Sequence, residues 1–238
     1  MGNIFFKFLS QRYVLRMFIC VCLIGCGIYR YFSSNNWIWL IVMFPWAFLV
    51  FFDGFFVLFA FMFGKTITDE SYTSVIKKCN ELCGLNLGPL YVVPFWKAQA
   101  CILPVGTKPI FFTKLLWKNL TQDERLFILA HEIGHAVVTD GLPSAVITLQ
   151  RRQEYQADAF GIILNNNLVA AAGALERVGQ LNAKAYKRKP RKSDYHPPMP
   201  NRIAFLETLS RDRNLPNLAT STSVGIESYL KTLETPEE

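Results

Sequence analysis

The sequence predicts an α+β fold, mostly helical with a small β-hairpin or sheet, preceded by an N-terminal transmembrane helical hairpin. Three observations carry that prediction. Apolar residues make up 51% of the 238 positions, and they concentrate in the first quarter, where Phe and Trp crowd between Met17 and Phe63. From about Thr66 the texture turns to mixed polar and apolar, over a length sufficient to bury a core. Helical periodicity then dominates, with a well-marked amphipathic helix from residue 122 and a second one after it. These observations divide the chain into a membrane hairpin (1–65), a globular domain (66–218) and a polar C-terminal tail (219–238).

The first span is residues 13–32, "YVLRMFICVCLIGCGIYRYF". Its only charges, Arg16 and Arg30, sit near the ends and can snorkel to headgroups. "SSNN" makes a short polar turn, and residues 37–63 form a second span in which Pro45 offers a kink. Asp53 is the one acid there. It marks either a break at the interface or a functional polar contact, because a charge inside a span is costly. A cleaved signal peptide would use Lys7, Arg12 and Arg16 as its basic region, but no small-residue cleavage site follows and a second span comes at once. "LIGC", ending at Cys26, resembles a bacterial lipoprotein box, which leaves acylation of Cys26 as the rival to a spanning anchor. "MGNIFF" has Phe6 where a myristoylation signal needs Ser or Thr. Lys7, Arg12 and Arg16 precede the first span, Lys65, Lys77 and Lys78 follow the second, and only Arg30 borders the turn. That bias predicts an integral protein of the inner or plasma membrane, with both ends and the globular domain in the cytoplasm.

The net charge is +7, with its densest run at "KAYKRKPRK", residues 184–192. Such a run is a solvated basic loop or an attraction to anionic headgroups. No nucleic-acid-binding signature accompanies it. Of six cysteines, Cys20, Cys22 and Cys26 lie in the first span. Cys79, Cys83 and Cys101 form an odd set in the globular part, which argues against a disulfide framework. Cys79 and Cys83 share a helical face without a second pair, so they read as core thiols.

"NLTQDERL" predicts a helix start. Thr121 is the N-cap, Glu124 completes a capping box, and Asp123 and Glu124 suit the positive helix end. Leu126, Leu129, Ile133, Ala136 and Val137 make the buried stripe. Gly141 is the expected left-handed stop, with Pro143 beyond. On this helix "HEIGH" sets His131 and His135 at i,i+4, so both rings leave one face and can meet a single Zn2+ at about 2.0–2.1 Å. Glu132 lies beside the first ligand, placed to take a proton from the attacking water and pass it to the leaving amine. Chance supplies H-E-x-x-H in roughly one such chain in several hundred, so a third ligand is decisive.

Glu154 supplies it, from a second helix expected over about 144–165. Asp158, one turn further, points the same way and can accept the other ring N–H of a metal-bound histidine. Alone, two acids at i,i+4 would be a solvated pair; beside an H-E-x-x-H helix they read as a site.

H-E-x-x-H followed by E-x-x-A-D-x-x-G resembles the gluzincin membrane peptidases that include HtpX-like heat-shock proteases and CAAX prenyl proteases. "NLTQDERLFILAHEIGH", "AQACILPVGTKPIFFTKLL" and "HPPMPNRIAFLE" resemble the flanking segments of that family, over about 98–206. The resemblance implies one Zn2+ per chain held by His131, His135 and Glu154, with Glu132 as general base and acid and Asp158 as orienter. It implies His196 as an oxyanion or substrate donor and Arg202 as support for that segment or the substrate; an exposed loop histidine is the plainer account of His196. It also implies the small hairpin, in which "PIFFTKLL" is either a buried strand or an edge that binds extended peptide. The chain departs from the HtpX-like branch in lacking an obvious later pair of spans, since "SAVITL" and "VAAAGAL" are too short.

The function expected is therefore a membrane-anchored zinc-dependent endopeptidase acting on membrane or membrane-proximal proteins, misfolded ones among them, with protein or peptide substrates and the bilayer as partners. A processing protease for a lipidated or signal-bearing peptide is the narrower alternative. A non-catalytic scaffold with a vestigial site is the third; the intact ligand set and Glu132 argue against it. Residues 184–200, basic and then proline-rich, are a candidate flap, and the tail has room for a short helix at "GIESYLKTL".

Overall fold

The computed structural model describes residues 11–34, 36–39, 41–44, 62–95, 98–103, 107–139, 147–186, 196–212, 215–216, 223–233 and 236. They fall into two compact units, one of residues 1–64 with 105–107, the other of residues 65–104 with 108–238.

In the first unit, helix α1 (Gln11–Ser34) covers the first expected span. The Ser33 and Ser34 hydroxyls both donate to the Arg30 carbonyl, and Asn36 Oδ1 accepts from the Ile38 amide, so short polar side chains close the helix and begin the next turn. A Cβ on Gly27 would run into the Met43 side chain; the chain after the turn comes back against α1, and glycine leaves room for it. Leu23, Ile28, Tyr29, Phe32, Trp37 and Ile41 are exposed. No helix among the described residues is long and apolar enough to cross a membrane. Residues 45–61 of the second expected span, Asp53 included, lie outside the described residues.

The second unit is mostly helical with a small mixed sheet. β1 (Lys65–Ile67) leads into α2 (Glu70–Cys83), capped by the Asp69 side chain at its start and by Gly84 at φ 61° at its end. β2 (Leu90–Val93), β3 (Ala100–Ile102) and β4 (Ile110–Thr113) complete a sheet of order β1-β2-β4-β3. β4 is parallel to β2 and antiparallel to β3. The stretch "PIFFTKLL" is thus not an edge. All four β4 residues are buried, as suits an interior strand whose two faces are both covered. The edge of the hairpin is β3. The rest of that stretch turns into the short helix α3 (Lys114–Asn119), capped by Thr113.

Helix α4 (Gln122–Thr139) begins with the expected capping box: the Thr121 amide donates to Glu124 Oε2 at 2.7 Å, and the Glu124 amide donates to Thr121 Oγ1 at 3.3 Å. Glu124 also pairs with Arg177 at 3.3 Å, tying the start of α4 to α6 (Leu168–Tyr186). The α4 stop at Gly141 lies outside the described residues. α5 (Ile147–Asn165) packs along α4, and glycine sets how closely. A Cβ on Gly134 would stand 2.8 Å from Ala157 Cα, and one on Gly161 would stand 2.6 Å from the Phe127 ring. α7 (Met199–Leu209) starts after Pro198 and packs on α5 and α6. α8 (Ser223–Thr232) lies in the stretch expected to be a polar tail, and its Ile226 and Leu230 are wholly buried.

Candidate metal centre

Helix α4 brings His131 and His135 to one face, with ring centroids 4.7 Å apart and planes at 85°. From α5, Glu154 meets both rings. Its Oε2 is 3.6 Å from His131 Nε2, and its Oε1 is 3.4 Å from His135 Nε2. One ligand atom from each of these three residues lies within 4.8 Å of the others. Tetrahedral ligands about 2.0–2.1 Å from a zinc ion stand roughly 3.4 Å from one another, so these separations suit such an ion. Glu154 Oε2 adds a second sign of fit: it is buried and faces ring nitrogens that can share a metal with it. The donor set, two imidazoles and a carboxylate, is one that a zinc ion accepts.

Behind the three ligands stands a charged layer. His131 Nδ1 is 2.9 Å from Asp158 Oδ1. With its proton on Nδ1, the ring donates to that carboxylate and leaves the Nε2 lone pair toward Glu154 and the metal position. Arg202, on α7, donates through Nε to Asp158 Oδ2 at 2.7 Å and through a terminal nitrogen to Oδ1 at 2.6 Å. Its other terminal nitrogen is 3.4 Å from Glu154 Oε2. Asp158 is 0% exposed and Arg202 4%, so the pair is taken fully out of water.

Electrostatics follow from that burial. Burial alone would raise the Glu154 carboxyl, but His135, His196 and the Arg202 charge outweigh it and hold the group well below the usual carboxylate range. For Asp158 burial again pulls upward, and the Arg202 charge and hydrogen bonds with His131 bring it below its ordinary value. His135 goes the other way: burial disfavours its charged form, and Glu154, helped by Glu132, raises it. The Arg202 guanidinium, despite burial, is held charged by Asp158 first and Glu154 and Glu132 next.

The remaining expected residues sit around this core. Glu132 is partly exposed, on the turn that carries both histidines. His196 Nδ1 is 2.8 Å from Glu154 Oε2, with 45% of its side chain exposed. It therefore stands against the ligand carboxylate from the solvent side. Arg202 supports Asp158 and Glu154 rather than an open face. Two residues were not anticipated. Gly134, inside the motif, lets α5 approach; the lone signal was a glycine in mid-helix. Cys101, on the edge strand β3, lies near Glu132, and burial together with that carboxylate pushes its thiol up to about 12. Residues 187–195, most of the basic run and of the expected flap, lie outside the described residues.

Residues 97–149, under a quarter of the chain, match the family model of Peptidase family M48. The matched stretch takes in β3, β4 and both histidines of α4 and ends shortly before Glu154; it supports a metallopeptidase of that family. No curated protein and no solved structure matches the chain.

Proposed function

We propose that this chain is a membrane-anchored zinc-dependent endopeptidase of the HtpX-like kind, cutting membrane or membrane-proximal proteins in quality control. The observation that carries the reading is the convergence of His131, His135 and Glu154 on one point, with Glu132 on the same helical turn. Zinc held there supplies a lowered water pKa and a polarised carbonyl. Glu132 takes the proton of the attacking water and delivers it to the departing amine. Asp158 fixes the His131 tautomer, and Arg202 keeps both buried carboxylates ionised. His135, with 24% of its side chain exposed, marks the side from which substrate enters. His196 stands on that side and donates to the substrate carbonyl oxygen as negative charge develops there. β3, at the end of the sheet among the described residues, is the strand to which an extended peptide would add.

Membrane anchoring draws on the apolar side chains exposed on α1 and at Trp37, Ile38, Ile41, Val42 and Phe44 and on the apolar run that follows in the sequence. The placement of Lys and Arg puts the peptidase unit in the cytoplasm. Alkaline carbonate extraction tests the anchor: an integral protein stays with the membrane, and release into the supernatant would refute it.

The chemistry is tested with the purified full chain. One zinc per chain is expected, with casein cleavage abolished by a chelator. Glu132→Gln is expected to keep the zinc and lose about 100-fold or more in rate. Equal cleavage by that variant would remove Glu132 from the mechanism, and absence of zinc from both forms would remove the reading itself.

A further inference from the structure

The C-terminal helix α8 supplies none of the three candidate ligands, yet it is fastened to elements that carry the site. Glu154 and Gln156 are two positions apart on α5, about 200° around the helix, so they leave opposite sides. Glu154 leaves toward the histidines. Gln156 is 5% exposed and its Nε2 donates to the Leu230 carbonyl of α8 at 2.7 Å. Arg152, one turn earlier on the same side, donates to the next carbonyl, Lys231, also at 2.7 Å. These two acceptors belong to the last turn of α8, where carbonyls have no partner within the helix. A guanidinium at that end also meets the negative end of the helix dipole.

The rest of α8 gives this fastening purchase. Ile226 and Leu230, one turn apart, are wholly buried, and α8 packs against α2, α4 and α5. Tyr229 donates its hydroxyl to Asp212 Oδ2 at 2.8 Å, which ties α8 to the chain just beyond α7, the helix of Arg202. Both helices that supply the site's carboxylates and its buried cation are thus joined to one short C-terminal element.

We infer that α8 is a positioning strap: through Gln156 and Arg152 it sets the placement of α5, so that Glu154 and Asp158 face the histidines in ligating geometry. Loss of the Gln156 donor takes from the Leu230 carbonyl the bond it receives from α5, and relief comes by α5 and α8 separating. Movement of α5 by a fraction of an ångström is felt at the metal, because ligand distances tolerate only about 0.2 Å. The inference rests on the proposed zinc site.

The test uses the full chain with Gln156→Met, which keeps length without the donor, paired with Arg152→Met. Arg152→Lys, which retains a donor, and Val224→Ala, on the exposed side of α8, are the controls. Three quantities are read: zinc affinity by chelator competition, the visible spectrum of the cobalt-loaded protein, and amide exchange over residues 150–158 without metal. The double variant is expected to remain folded, to bind zinc about tenfold more weakly, to change its cobalt spectrum, and to exchange faster across α5. Both controls are expected to match the parent. A lowered Tm with unchanged zinc affinity and spectrum would make α8 mere ballast and overturn the inference. Should the parent itself bind neither metal, the zinc reading fails, and amide exchange alone decides the strap: faster exchange over 150–158 supports it and unchanged exchange overturns it.

Discussion

Arg202 sits in a place that arginine seldom occupies, sealed from solvent and shared between two carboxylates of another helix. Removing one member of a buried ion pair strands the other charge, at a cost of about 3–5 kcal/mol. Arg202→Met is therefore expected to destabilise the metal-free protein by about that amount, as read by chemical denaturation. Asp158→Asn, which keeps the shape, is expected to weaken zinc binding by about 10–100-fold, because the group shared by His131 and Arg202 loses its charge and one of its two acceptor oxygens. Zinc titration with a competing chelator measures this; parental affinity in Asp158→Asn would mean that the contact with His131 is incidental. At this scale the sequence was legible where spacing encodes geometry. His131 and His135 are four apart on α4, and Glu154 and Asp158 four apart on α5, so each pair's shared face followed from the 3.6-residue period. The contacts of Arg202 and His196 did not, since they join residues more than 40 positions apart and depend on where α7 docks.

Among the elements, α4 was the most legible, because Thr121 and Glu124 announce its start and both bonds of the capping box are made. The sheet was the least. Its strands are three or four residues long, and β4 owes its interior position to parallel pairing with β2, which no local pattern in "PIFFTKLL" records. Gly134 lies between these cases. On an exposed helix, replacing glycine with alanine gains about 1 kcal/mol. Here the new methyl would meet the Ala157 backbone at 2.8 Å and Phe160 Cβ at 2.9 Å, and backbone cannot step aside as a flexible side chain can. Gly134→Ala is thus expected to reverse the usual sign, costing about 1–3 kcal/mol through overpacking and weakening zinc binding as α5 is pushed away. Thermal denaturation with and without zinc measures both; a gain in Tm would show that α4 and α5 are not held at the distance Gly134 permits.

For the molecule as a whole, the buried ionisable groups define a pH window of stability in the metal-free state. Asp158 and Glu154 are depressed, so their stabilisation is present above the unfolded carboxylate values of about 3.9–4.3. It is lost as pH falls below them through the folded values. Cys79 is the opposite case. Its thiol is 1% exposed, and burial, with Cys83 beside it, pushes it up to about 12. The folded state then holds that proton more tightly than the unfolded chain, whose thiol titrates near 8.5. The stabilisation is complete below that value and drains as pH rises from about 8.5 toward 12, at about 1.4 kcal/mol per unit for one such group. Tyr229, raised by burial and then by its bond to Asp212, acts in the same direction at higher pH, and through it the loosening begins where α8 is fastened. Chelator-treated protein is therefore expected to show its highest urea midpoints between about pH 5 and about pH 6.5, easing above that as the raised His135 gives up its proton and falling on the acid side and again above about pH 8.5. Replacing Cys79 with alanine is expected to lower the maximum, through the space it leaves, and to flatten the alkaline fall. An unaltered alkaline slope in that variant would assign the fall to other groups, the interior tyrosines first among them.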